Sequence, residues 1–458
     1  MRRASALAFG LMLAVSPLAL SSASAQTLEA ALSSAYRSNP DLNATRASLR
    51  AVDEGIASAM SGYRPRITGS ADYGYSVTDT RSRGQRTTTD LNPAGLGLSV
   101  SQTLYNGGRT GNSVRAAESN VLASRETLRN TEQNTLLDAV TAYMNVLRDT
   151  AILSLRQNNV NVLAEQVRQT KDRFAVGEVT RTDVAQAEAR LAGARSDLAV
   201  SQSNQRGSVA RFKQVTGMDP KKLSPVQPVA ASRLPNSQGE AVNRALRDHP
   251  AISAALHGVD AQQLQVKVVE GELLPTVTLT GSLARRFDSQ VPDDRRNSAS
   301  VVGAVSIPIY DGGSAYARSR QAKETLGERR MQVDSARDRV VAAVIASWAL
   351  MEATKFQIEG AAAQVQAAEI ALNGVREEYK VGQRTTLDVL NAEQELLNAR
   401  VAQVTAQRDR VVASYAVLSS IGQLSARSLG LKVATYDPKV NTEQVQDKWF
   451  GLRTPSGE

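Results

Sequence analysis

The chain has 458 residues, 42% of them hydrophobic, no cysteine, two histidines and a formal net charge of +9. Without cysteine, thiol nucleophiles, thiolate metal sites, disulfides and an acylated N-terminal cysteine are all excluded. So mild a basic excess is weak ground for a nucleic-acid partner, and the export signal read next argues against one.

Arg2 and Arg3 precede an apolar run from Leu7 to Leu20, and Ala23-Ser24-Ala25 offers a small-residue cleavage site. The pattern predicts a secretory signal over 1–25, with the mature chain opening at Gln26. After it no apolar run of about 18 residues is evident, so a membrane would have to be crossed by strands. A short helix is expected over 40–62, followed by two segments of strict alternation at 66–78 and 94–105. In the first, Ile67, Gly69, Ala71, Tyr73, Tyr75 and Val77 oppose Thr68, Ser70, Asp72 and Ser76. In the second, Leu96, Leu98, Val100 and Leu104 oppose Ser99, Ser101 and Thr103, and the polar stretch 79–93 between them reads as a loop. Segments of about ten residues, apolar on one face and small and polar on the other, are the signature of transmembrane barrel strands.

The second segment ends in LYNGG at 104–108. Glycine tolerates positive φ, so Gly107 and Gly108 read as a sharp junction after Tyr105; NGGRTG lacks the spacing of a dinucleotide loop. From 109 to 175 there is no proline, and Val146, Leu153, Val160, Val167 and Phe174 recur every seven residues. That predicts one helix about 100 Å long. Val176 and Gly177 open a tip at 176–181, and a second helix runs back over 182–215. The Pro-rich stretch 216–238 reads as a linker.

The scheme then repeats. RFAVGEVTRTDVAQAEARL (173–191) returns as EYKVGQRTTLDVLNAEQEL (378–396), and LYNGG returns at the same offset as IYDGG (309–313). SNPDLNATRASL (38–49) likewise matches DHPAISAALHGV (248–259). The first repeat therefore spans 26–215 and the second 239–424, with a helix at 250–272, strands at 276–286 and 299–310, a long helix at 314–380, a tip at 381–385 around Val381 and Gly382, and a returning helix at 386–420. Tyr310, Gly312 and Gly313 form the second strand–helix junction. The tail, 425–458, has no counterpart in the first half and is expected to be disordered from about Ala434. His249 stands before Pro250 at a helix entry, and no nucleophile–base pair or metal cluster is legible. An enzyme, a cofactor and a bound metal are not expected.

Four strands cannot close a barrel, and open edges in lipid leave backbone groups unsatisfied at several kcal/mol each. The chain must oligomerise: two copies would give eight strands with a filled interior, three would give twelve and room for water. The polar inner faces favour three. The expected fold is an α+β membrane protein, a trimeric twelve-stranded barrel continued by a long helical barrel.

Signal, duplicated strand–strand–helix halves, Y-[ND]-G-G junctions and paired VG-x₄-DV tips together resemble the TolC family of outer-membrane efflux and secretion channels. The resemblance covers about Thr27 to Leu424. It implies a homotrimeric channel in the outer membrane of a Gram-negative bacterium, with a large periplasmic portion. It also implies two partners, a periplasmic adaptor protein and an inner-membrane ABC or RND-type transporter, and a cargo of type I secretion proteins or small toxic compounds. Position by position, Tyr379 and Arg384 match gate residues that tie the inner hairpin to Thr182 and Asp183. Asp388 matches a carboxylate ring, and Asn391 stands where a second aspartate is common. The tips, at Val176-Gly177 and Val381-Gly382, would dock the adaptor. A trimeric surface stalk or adhesin with a barrel anchor is the alternative, although the strands lie inside each half rather than at one terminus.

Overall fold

The computed structural model describes residues 26–455 and 457; the expected signal at 1–25 lies outside the described residues. The chain is mostly helical. In the first half, α1 (Leu28–Ser38) and α2 (Pro40–Met60) lead to β1 (Arg66–Tyr73), β2 (Ser76–Ser82), β3 (Gln85–Leu91) and β4 (Ala94–Asn106), then to α3 (Arg109–Ala175) and α4 (Arg181–Thr216). In the second, α5 (Gln238–Asp248) and α6 (Pro250–Glu270) lead to β5 (Thr276–Phe287) and β6 (Arg295–Ser306), then to α7 (Ser314–Lys380), α8 (Thr386–Ser420), α9 (Ala426–Leu429) and α10 (Pro438–Val445).

Helices α1 and α5 were not legible as separate elements. Asn39 explains the first break: it ends α1, and its Oδ1 accepts from the N–H groups of Asp41 and Leu42 to open α2 at Pro40. His249 does the same at α6, its Nδ1 accepting from the Ala251 N–H at 3.2 Å.

Four strands form one antiparallel sheet in the order β1-β4-β5-β6, so β1 and β6 are its free edges. The register carries one apolar face right across it: Ile67 opposes Val100, Leu98 opposes Leu283, and Gly281 opposes Val301. The other face is a polar strip, tied by Thr68–Ser99 hydroxyl contact at 2.6 Å, Ser282–Ser300 at 2.8 Å and an Arg286–Asp72 ion pair at 3.3 Å. Two strand expectations need correcting. The segment 66–78 is not one strand: it breaks at Gly74, and β2 folds back on β3 through a two-residue turn with Arg83 and Gly84 both at positive φ. The supposed loop at 79–93 is thus largely a hairpin. The segment 299–310 is shifted: β6 starts at Arg295 and stops at Ser306, because Pro308 has no N–H for the ladder. A bulge at Leu104 also intervenes, placing Tyr105 opposite Val277 on the apolar face.

The long helices pair as hairpins, α3 with α4 and α7 with α8, and α3 also packs on α8 and α6. The main core lies midway along them, where α1, α2, α5 and α6 wrap around Val140, Tyr143, Phe212, Val344 and Val417. The linker joins this core instead of hanging free: Gln26 bridges to Leu223, and Val226 and Val229 pack inward. Nor is the tail loose. Helix α10 packs on α2, and Asn441 and Thr442 hydrogen-bond to the buried Asp53. One further correction concerns hydropathy. An 18-residue window within α7 does reach a mean hydropathy of 1.2, with 22% of it buried. It is an alanine- and valine-rich stretch inside a 67-residue helix, and its exposed apolar residues include Ile345, Leu350 and Phe356.

Candidate functional site

Both junctions turn a strand into a helix through two left-handed glycines, Gly107 and Gly108 at φ +67° and +75°, Gly312 and Gly313 at +71° and +85°. At the first, a Cβ on Gly107 would stand 2.4 Å from the Gly271 carbonyl oxygen and 2.8 Å from the Leu274 Cβ. At the second, a Cβ on Gly312 or Gly313 meets nothing within 4 Å. Tyr105 and Tyr310 both face outward, and Tyr310 is the more exposed, at 81% against 48%. Asp311 caps α7, its carboxylate accepting from the N–H groups of Gly313 and Ala315.

At the far end of the hairpins the two tips are near copies. Gly177 and Gly382 both take φ +79°, and Val176 and Val381 are 72% and 71% exposed. Each tip closes on itself: the Glu178 N–H donates to the Arg173 carbonyl and the Gln383 N–H to the Glu378 carbonyl, both at 2.9 Å.

The residues expected at the gate are brought to these tips, but within the chain they do not join one another. Arg384 donates through Nε to Glu378 at 2.7 Å rather than to Asp183. The Tyr379 hydroxyl lies 3.3 Å from that of Thr386, and Thr182 is exposed. Asp183 and Asp388 close identical capping boxes with Thr180 and Thr385, which commits one carboxylate oxygen of each to its own helix start. The Thr385 N–H and hydroxyl hold the Asp388 carboxyl below the usual carboxylate range, with Arg384 adding to the effect.

Two arginines that the sequence reading passed over make the links between hairpins. The Arg173 guanidinium lies 4.9 Å over the Tyr379 ring, joining α3 to α7, and Arg190 donates to Asn391 Oδ1 at 2.8 Å, joining α4 to α8. Neither partner type is specific enough to announce such a contact from sequence. Above the tips, Glu393 is buried and accepts from Arg376 at 2.9 Å beside a polar cavity of about 380 Å³ between α3, α7 and α8. Among the described residues no group of three or more His, Asp or Glu side chains could hold a metal. The described residues offer an exposed surface at the tips and a wall of paired helices.

The chain is 46% identical to the outer membrane efflux protein BepC of Brucella suis over 94% of its own length and 93% of that protein's. It is 26% identical to the outer membrane protein TolC of Escherichia coli, covering 88% of this chain and 84% of that one. Its fold matches the crystal structure of the CmeC outer membrane channel of Campylobacter jejuni with a TM-score of 0.77 at 20% identity, over 92% and 89% of the two chains. These relatives lend no support to the stalk or adhesin alternative. With residues 31–218 and 241–423 both matched by its model, this chain belongs to the outer membrane efflux protein family.

Proposed function

We propose that three copies of this chain close into a twelve-stranded barrel continued by a helical tunnel, serving as the outer-membrane conduit of a tripartite export machine. One observation carries the reading: the sheet has an apolar face fit for lipid, yet both of its edges, β1 and β6, are unpaired. Pairing β6 of each copy with β1 of the next satisfies those edges in hydrocarbon. The same step brings α2 of the next copy onto α7, covering Ile345 as α3 is covered at its counterpart Val140, which is fully buried.

The polar strip of Ser and Thr then lines a wet lumen. The tips lie at the opposite end from the barrel, where Val176 and Val381 are free to receive a periplasmic adaptor that bridges to an inner-membrane transporter. Efflux of small toxic compounds is the favoured cargo class, because BepC is named an efflux protein. Thr182, Asp183, Tyr379, Arg384, Asp388 and Asn391 surround the aperture, with links across neighbouring copies adding to Arg173–Tyr379 and Arg190–Asn391 within each.

Native mass of the detergent-solubilised protein and single-channel conductance in a planar bilayer test this together. A trimer that conducts ions is the expected result. A stable monomer, or a trimer without conductance, overturns it.

A further inference from the structure

The tail climbs beside α2 toward the sheet and is fastened at every level. Arg46 lies between the rings of Tyr36 and Tyr436, 4.5 and 5.4 Å from their centroids. Further up, Asn441 Nδ2 and Thr442 Oγ1 each donate to Asp53 at 2.8 Å, in a site where Asp53 is fully buried. At the top, Arg64 Nη1 donates to the Lys448 carbonyl at 2.7 Å, and its guanidinium sits 4.8 Å over the Trp449 ring. Arg64 is two residues before β1 opens at Arg66, so Trp449 is held at the foot of the membrane sheet. There the fastening ends in three apolar side chains left open: Trp449 is 65% exposed, Phe450 89% and Leu452 102%.

We propose that Trp449, Phe450 and Leu452 form an interfacial anchor that enters the phospholipid leaflet around the foot of the barrel. Three features select lipid as the occupant. The patch is pinned by Arg64, three residues before Ile67, the first outward residue of the sheet's apolar face and 64% exposed. Lys448 and Arg453 flank it in the run KWFGLR, with Arg64 and Arg66 nearby, a set of cations suited to anionic headgroups. Trp449 meets a guanidinium on one side and is open on the other, the amphipathic setting in which tryptophan favours the membrane–water boundary. The inference rests on the chain's place in the outer membrane and not on its cargo or gate.

The chain has two tryptophans, Trp348 and Trp449, which makes the test direct. The full-length protein is reconstituted in vesicles of phosphatidylethanolamine and phosphatidylglycerol, and its emission is compared with that of Trp449→Ser. The Trp449 component should be blue-shifted and should lose most of its intensity when the lipids are brominated high on their acyl chains. Emission typical of an indole in water, unquenched by bromine, overturns the proposal. A blue shift that no brominated lipid quenches also overturns it, because a second copy of the chain then covers the patch. If Trp449→Ser does not assemble, Trp348→Phe isolates the same signal. The charge reversal Lys448→Glu with Arg453→Glu should abolish the quenching, and quenching that survives it removes the headgroup part of the argument.

Discussion

The two strand–helix junctions are written almost alike and live in different surroundings. Gly107 is enclosed by its own chain, pressed against the turn at Gly271 that precedes β5. Gly312, at the equivalent point, faces open space beside the free edge β6. The helices beyond them repeat the contrast. Val140 on α3 is fully buried, while its counterpart on α7, Ile345, is 42% exposed. A duplicated chain thus satisfies the first copy of each contact internally and leaves the second unfilled, which is the pattern that head-to-tail ring closure requires.

Substitution at the glycines breaks this comparison most sharply. Gly107→Ala combines left-handed strain of about 1–2 kcal/mol with a steric overlap of similar or larger cost. It should displace the turn at Gly271 that leads into β5 and abolish outer-membrane trimer, measured by semi-native electrophoresis. Gly312→Ala carries only the strain within one chain, so the unassembled protein should keep its far-UV circular dichroism while trimer yield falls. Equal loss of monomer fold in both variants would mean that the second junction is not completed by a neighbour.

The sheet offers the next largest effect. Leu98→Arg places a charge on the apolar face at a cost of about 2–4 kcal/mol near the bilayer midplane, and should cut trimer yield. Ser99→Arg, one residue along on the polar face, should assemble normally. Val301→Arg on β6 should behave as Leu98→Arg does, since the register puts both on one face.

At the other end of the hairpins the halves differ in charge instead of in packing. Arg173 and Glu378 are equivalent positions, and the cation of the first lies over the ring of Tyr379 in the second. Arg173→Ala should weaken the link by about 0.5–1 kcal/mol, the usual range for an exposed cation–π pair. Conductance of the resting channel should rise modestly with the trimer intact. Arg190→Ala should act in the same direction through Asn391.

Much of this organisation was legible because it rests on period and repetition. Strict alternation named the apolar face of β1 and β4, the heptad run marked α3 as one long helix, and the repeat carried that reading to α7. What stayed hidden depends on contacts distant in sequence. Residues 79–90 are polar on both faces, so no alternation marked them as a hairpin, and only pairing such as that of Thr80 with Thr87 reveals it. The bulge at Leu104 leaves no signature in composition. The tail lacks a repeat partner, and its order comes from Asp53, nearly 400 residues away in the chain. At the tips, what the sequence did not show is the partner of Arg384 within its own chain, the Glu378 carboxylate six residues away.

The smallest expected effect separates the two halves by pH. Asn39 and His249 are equivalent N-caps, and only the second can titrate. Burial, and then the Arg129 charge on α3, hold the His249 pKa below its ordinary value near 6.5, so the folded chain keeps it neutral. As pH falls through that ordinary value the unfolded chain takes up a proton first, and stability declines until the folded group is protonated as well. Protonation also removes the lone pair that accepts from the Ala251 N–H. His249→Asn restores in the second half the cap used in the first, and asparagine is a good N-cap at any pH. The variant should therefore unfold at the same denaturant concentration as the unaltered protein at pH 8 or slightly above it, and should lose less stability on acidification below about pH 6.5. A parallel decline in both proteins would show that other groups, and not this cap, carry the acid sensitivity of the second half.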